Sequence, residues 1–450
     1  MNVRARPAHR RRVAAALSLL ACVGVAVATP SAGAADGHKS TRVETAPVSW
    51  PADLTRITSD DVNVRYAKGA LSVRDTAFRP ASAETGRGYG TQVLAPEELD
   101  APVDRVSAVL VTETPGDGDA EVVVDVRGRS AQGAWTEWIP AGQAGQAGQA
   151  GQDGQDGQGA SGQGTADPDS AGPGTAVLPR SVTTVQARIT LWDTAGETRV
   201  RSLRLSAEKG TAPRTSAGAT AVTARVFATR EGLVGRTTAN GHIIQPNDHF
   251  VALPSRRGLS PNGSGQYSVQ VCGPARCETA PVWDVGPWNT KDDYWNPSAT
   301  RETFKDLAQG MPEAQAAYET GYNGGRDGSG RTVLNPAGID LADGTFYNVG
   351  LNDNGWVTVT YLWTGDQTGK SFPTWGTDVR IRQQATTASP EVARLAGPTT
   401  VNVKCQVHGQ RITVDGITND GWAYLPAFGG YVSNIFIDVV ESWLPGVPDC

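Results

Sequence analysis

Asp284 is a lone acid at the end of a short apolar run, Pro281-Val-Trp283, and Gly286, Pro287 and Trp288 follow it closely. Tyr294 and Trp295 come a few residues later. A carboxyl on a Gly-Pro turn among flat aromatic faces suits carbohydrate chemistry. Sugar rings stack on such faces, and a partly desolvated carboxyl keeps its proton longer than a solvated one. Trp283, Trp288, Tyr294 and Trp295 are therefore the candidate groove residues. They read as well as structure, since turn aspartates are common and tryptophans fill cores.

Asp248 and His249, just ahead of Phe250-Val-Ala-Leu-Pro254, are the next polar candidates, for orienting a sugar or sharing a proton. His242 follows a polar turn, and Asp340 lies within Gly338-Ile-Asp-Leu341. His242, Asp248 and His249 offer three metal ligands and no fourth, so neither a metal nor another cofactor is expected. No Gly-x-Ser-x-Gly elbow occurs in a strand-to-helix setting. The Gly-rich stretch Tyr322-Asn-Gly-Gly-Arg-Asp-Gly-Ser-Gly330 lacks the lysine of a phosphate loop and reads as a surface loop.

These residues need a scaffold, and period-two alternation supplies one. Val106-Ser-Ala-Val-Leu-Val111, Ala120-Glu-Val-Val-Val-Asp-Val126 and Val185-Gln-Ala-Arg-Ile-Thr-Leu-Trp192 are strand-like, so residues 51–208 are expected to form a β-sandwich. Trp135 and Trp138 lie within it, one of them most simply core. A Gly-Gln-rich tract over 141–175 is too short and proline-poor for collagen and reads as a disordered insert. Residues 209–220 form a linker. A second domain, 221–365, contains the candidate site, several strands and a helix-like insert from about Thr300 to Tyr318 with Phe304 and Leu307 on one face. A third, strand-rich domain spans 372–450. A chain of 450 residues accommodates about two to four domains.

Arg4, Arg6, Arg10, Arg11 and Arg12 precede an apolar run ending in Ala32-Gly-Ala34, the pattern of a cleaved secretion signal over 1–34, with 35–50 a linker. Beyond it no stretch is apolar enough to span a bilayer. Export implies oxidised cysteines. Cys272-Gly-Pro-Ala-Arg-Cys277 brackets a tight turn, and Cys405 with Cys450 would tie down the C-terminus. Three pairings are open, and this one needs the least reorganisation. A formal charge of −6 and the absence of basic runs after the signal argue against nucleic acid as a partner.

The order Thr238-Ala-Asn-Gly241, Ala252-Leu-Pro254, Trp283-Asp-Val-Gly-Pro287, Ile339-Asp-Leu341 and a final alternating strand, Trp356-Val-Thr-Val-Thr-Tyr-Leu-Trp363, resembles a double-psi β-barrel. It is similar to the barrel of rare lipoprotein A, a septal lytic transglycosylase, and more distantly to expansins and family 45 endoglucanases. Where the lytic barrels carry an acid after their Asn-Gly turn, this chain has His242, and since their Ile-Asp-Leu turn sits beside the groove, the resemblance implies that Asp340 pairs with the barrel interior or supports that groove. The Asn419-Asp-Gly-Trp422 and Gly429-Gly-Tyr-Val-Ser-Asn434 segments resemble a bacterial SH3 domain, and the leading region resembles β-sandwich modules of secreted actinobacterial wall enzymes.

The fold expected is therefore all-β and multidomain: a β-sandwich, a double-psi β-barrel with a helical insert, and an SH3-like barrel. The resemblance implies a monomeric protein, secreted or wall-associated, with peptidoglycan or another wall polysaccharide as its partner. Hydrolysis needs two carboxyls, whereas a lytic transglycosylase works with one, so a lone Asp284 as general acid/base fits lytic cleavage. The alternatives are a non-catalytic, expansin-like wall binder and a secreted inhibitor or partner-binding module.

Overall fold

The computed structural model describes residues 47–81, 86–113, 120–130, 133–144, 174–210, 221–365, 367 and 369–450. The expected signal segment, most of the 35–50 and 209–220 linkers, and 145–173 of the Gly-Gln tract lie outside the described residues. Residues 141–144, expected to open that tract, instead extend a strand.

The N-terminal strands are β1 (Val48–Pro51), β2 (Val64–Ala67), β3 (Ala70–Val73), β4 (Gly88–Val93), β5 (Glu97–Glu113), β6 (Glu121–Arg129), β7 (Ile139–Ala144), β8 (Thr175–Asp193) and β9 (Arg199–Glu208). They form one hydrogen-bonded sheet in the order β2-β3-β9-β5-β8-β6-β7, with β1 added on β9 and β4 on β8. Register shifts in β5, the local kinks through which strands bend, let this sheet turn around its own core. β6 is buried on both faces. Val122, Val124 and Val126 enter the sheet's core, so the intervening Val123, Asp125 and Arg127 face the other way. β8 divides likewise, with Val185, Ala187, Ile189 and Leu191 inward and Gln186, Arg188 and Trp192 outward.

That second face meets a closed barrel of six strands: β10 (Thr223–Arg230), β11 (Val251–Leu253), β12 (Ser268–Cys272), β13 (Cys277–Val285), β14 (Ala337–Leu341) and β15 (Gly355–Tyr361). The circuit runs β11-β14-β10-β15-β12-β13 and returns to β11. β10 and β14, and β11 and β13, pair in parallel; the other neighbours are antiparallel. Branched and aromatic side chains, among them Val226, Val269, Val282, Ile339, Val359 and Tyr361, fill the interior.

The contact between sheet and barrel is charged as well as apolar. Asp125 and Arg188 stand opposite each other on β6 and β8 and pair at 2.8 Å, both about 3% exposed. Arg257 bonds Asp293 at 2.6 Å and lies 3.3 Å from Glu137. Arg127 lies against the rings of Trp135 and Trp138 and donates two bonds to Gln186. Trp138 joins the barrel's own core cluster, and Trp135 packs half-buried against it. Breaking one partner of such a buried pair costs about 3–5 kcal/mol, because a bare charge remains.

Between β13 and β14 the chain is mostly irregular. The helix expected from Thr300 is shorter and later: α1 spans Glu313–Thr320. Phe304 and Gly310 hold positive φ, and the residue before Pro312 is disfavoured in helix, so helical backbone starts only after the proline. A second helix, α2 (Asp343–Asn348), follows β14.

The C-terminal strands are β16 (Lys370–Pro373), β17 (Val379–Arg382), β18 (Glu391–Leu395), β19 (Thr400–Val403), β20 (Cys405–Val414), β21 (Ile417–Leu425) and β22 (Gly430–Ser433). They surround a separate core containing Phe372, Ile381, Leu395, Ala423 and Val432. β18 pairs with the start of β13, so this sheet continues from the barrel wall. Both expected disulfides are present, Cys272–Cys277 across the β12–β13 turn and Cys405–Cys450 at the C-terminus. Among the described residues no helix is long and apolar enough to cross a membrane.

Candidate functional site

A row of side chains crosses four strands on the outer face of the barrel. Ile339 and Leu341 point into the core, so Asp340 between them points out. Asp340 stands opposite Thr229 on β10 and opposite Ala252 on β11. Ala252 in turn stands opposite Asp284 on β13. Asp284 reaches this face through a register shift: Val282, two residues earlier, points inward, and the extra residue between them turns the chain over. Thr229, Asp340, Ala252 and Asp284 thus form one line, and between the two carboxyl-bearing positions stands only a methyl group. Asp340 was expected as a supporting residue; Thr229 carried no sequence signal.

The polar turn Thr238-Ala-Asn-Gly241 has a definite task here. Its backbone closes from Gly241 N–H to the Thr238 carbonyl at 3.0 Å, with Gly241 at a φ of 90°. The Thr238 hydroxyl donates to Asn240 Oδ1, and the Asn240 amide donates to the Ser260 carbonyl. So fixed, the turn aims the Ala239 N–H at Asp284 Oδ1, 2.8 Å away, and Val285 N–H donates to the same oxygen at 2.8 Å. Tyr89, on β4 of the N-terminal sheet, donates its hydroxyl to the Ala239 carbonyl at 3.2 Å. Burial pushes the Tyr89 hydroxyl up to about 12, so it stays a donor. Asp284 is fully buried in this arrangement.

Asp340 is different. It is half-buried, and its Oδ1 accepts the Thr229 hydroxyl. Burial of the carboxyl, reinforced by the Asp284 charge and opposed by the Thr229 bond, raises its pKa to about 7. A carboxyl with this property is half protonated near neutrality, the condition a general acid needs.

The remaining candidates divide into four groups. His242 Nε2 bonds Asp248 Oδ2 at 2.5 Å, and its ring lies 4.6 Å from that of Trp283. Trp283 stacks on Phe250 and donates its indole N–H to the Ser264 carbonyl. These residues make an aromatic block beside the end of β13. His249 turns elsewhere, to Glu278 Oε1 at 2.9 Å, and Asn348 of α2 bonds the other carboxylate oxygen. Burial disfavours the His249 cation, but the Glu278 carboxylate more than offsets this and raises its pKa. His242, Asp248 and His249 therefore do not converge on one point. No metal-holding cluster of His, Cys, Asp or Glu occurs among the described residues.

Tyr294 and Trp295 lie inside the barrel rather than along a groove. Both are fully buried; Tyr294 donates to the Gly338 carbonyl, and Trp295 donates to Glu137 of the N-terminal region. Their large apolar area is used in the core, which is where two adjacent rings after an apolar strand most often go. Trp288 packs half-buried against Ala314 and Ala317 of α1, with its indole N–H on Asn335 and the Arg331 guanidinium over its ring.

Fold and site together define an all-β protein built on a closed six-stranded barrel, with a pair of carboxyls on its outer face. Residues 222–360, the span of that barrel, match the family described as Domain of unknown function (DUF8814). No curated protein and no solved structure matches the chain.

Proposed function

We propose that the protein is exported and cleaves glycan strands of a bacterial cell wall by the lytic transglycosylase route. The observation that carries this reading is the Asp340–Ala252–Asp284 row, in which one carboxyl is half-buried and the other fully enclosed. Asp340 protonates the leaving glycosidic oxygen as the bond to the anomeric carbon breaks. The 6-hydroxyl of the same sugar attacks that carbon and closes a 1,6-anhydro ring, and its proton returns to the Asp340 carboxylate. No water is activated. Asp284, the acid in the sequence reading, is too enclosed to meet a sugar. It serves as the fixed negative charge that favours protonation of Asp340 and the positive charge developing on the ring.

The likeness of the motif order to rare lipoprotein A barrels supports this reading, as does that of the C-terminal region to peptidoglycan-binding SH3 domains. The complete burial of Asp284 favours a second reading, a non-catalytic wall binder. The test is to incubate oxidised chain 35–450 with peptidoglycan sacculi beside Asp340→Asn and Asp284→Asn, and to read released fragments by mass spectrometry. Anhydro-muramyl products from the parent, lost with Asp340→Asn and reduced with Asp284→Asn, are expected. No release from the parent, with protein pelleting on the sacculi, would establish the binder.

A further inference from the structure

The barrel site leaves unused a recess of about 300 Å³ on the N-terminal sheet, lined by Arg65, Ala67, Lys68, Ser72, Arg199 and Arg201. Its geometry follows from the strands. β2 and β3 form a hairpin whose two turn residues, Lys68 and Gly69, both have positive φ, which places Lys68 at the tip. Arg65 stands opposite Ser72, and continuing the Leu71–Val200 register puts Ser72 opposite Arg199. Leu71 and Val200 enter the sheet's core, so these polar neighbours share the outer face. Arg199 is braced by the Gly196 and Thr198 carbonyls and Arg201 by the Lys68 carbonyl. Ser72 is buried beneath them.

The charge here runs against that of the whole chain, which is −6. Among the described residues the one ion pair these four cations make is Arg201 with Glu113, at 2.7 Å. Among the described residues these four cations thus face one carboxylate, Glu113, which also stands opposite Arg199, and a net of three positive charges is left along a row about two strand spacings, ~9.5 Å, across. That extent exceeds a single phosphate and suits a chain of them. No aromatic ring lines the recess, so it offers no surface on which bases would stack.

We propose that this recess binds a flexible phosphodiester polymer without bases, such as a polyol phosphate, independently of any activity at the barrel. Binding would be driven by release of counterions from the polymer, so affinity must fall steeply with salt. At a log–log slope of about −0.7 per neutralised phosphate, three cations give a fall of about 18-fold between about 50 and 200 mM salt. The substitutions Arg65→Gln and Lys68→Gln together leave one cation and a fall of about threefold. Glu113→Gln frees Arg201 and steepens the fall to about 50-fold.

The experiment titrates oxidised chain 35–450 and these variants with fluorescent poly(glycerol phosphate), and in parallel with inorganic phosphate and single-stranded DNA. Salt-dependent binding of the polyol phosphate, weakened in the double variant and strengthened by Glu113→Gln, is the expected result. Unchanged binding by the double variant overturns the assignment. So does saturation by inorganic phosphate at equal phosphate concentration, which would mark a simple anion site, or tighter binding of DNA.

Discussion

Replacing Asp284 by Asn should lower the pKa of Asp340. Both residues stand opposite Ala252, so their strands are two spacings apart, about 9.5 Å. At that distance and an effective dielectric of about 20, one unit charge contributes about 1.7 kcal/mol, or a little over one pH unit. Allowing for the partial exposure of Asp340, the fall should be about one unit, from about 7 to about 6. It should not return to the ordinary carboxylate range, because burial is the larger cause. The assay is an NMR titration of the Asp340 carboxyl carbon in selectively labelled parent and variant. An unchanged midpoint would refute the coupling and with it the role given to Asp284. The same shift has a consequence for stability. Above about pH 4 the unfolded chain has lost the proton that folded Asp340 retains, so stability falls as pH rises towards 7 and then levels. Asp340→Asn removes that loss. The full shift corresponds to about 4 kcal/mol, and discounting by half for solvent leaves about 2 kcal/mol in favour of the variant at pH 8 and about none at pH 4.

The two disulfides should differ in weight. The chain-entropy relation gives about 2 kcal/mol for the short Cys272–Cys277 loop and about 4 kcal/mol for Cys405–Cys450, so double Ser variants should separate clearly in denaturant midpoint. The His249–Glu278 pair should act in the acid range. A raised histidine pKa contributes stability that is fully present below about 6.5 and is lost as pH rises through the folded value. His249→Gln should therefore destabilise more at pH 5.5 than at pH 9, and equal losses at both would show that the imidazolium is not what matters.

Local chemistry was legible in the sequence wherever the partners are close along the chain or repeat with period two. The β12–β13 hairpin and its disulfide, the alternating β15, and the turn at Thr238-Ala-Asn-Gly241 all belong to this class. Asp284 and Asp340 could be named as acids, yet their alignment rests on one extra residue in β13 where it pairs with β11, which leaves no composition signal. Tyr294 and Trp295 followed the same rule of apparent location: two rings near an acid look alike in sequence whether they line a groove or fill a barrel. Apolar spacing at Phe304 and Leu307 suggests a helix from Thr300, but the positive φ at Gly310 and the backbone restriction before Pro312 delay it to Glu313.

What no local pattern could reveal is that the N-terminal sheet is part of the site. Its strands read as half-buried, but β6 and β8 are covered on both faces, and their second faces carry Asp125, Arg127, Arg188 and Trp192. Charged residues at alternate positions normally mark a solvated face. Here they mark an interface in which nearly every charge has a partner across the strands or from the barrel. That interface sets Tyr89 against the Ala239 carbonyl while the Ala239 N–H holds Asp284. The two backbone groups of Ala239 thus tie the sheet to the enclosed carboxyl, and the enclosed carboxyl biases the half-buried one. Loosening the sheet should therefore be felt at Asp340 through Asp284, even though no residue of the sheet need ever touch a substrate.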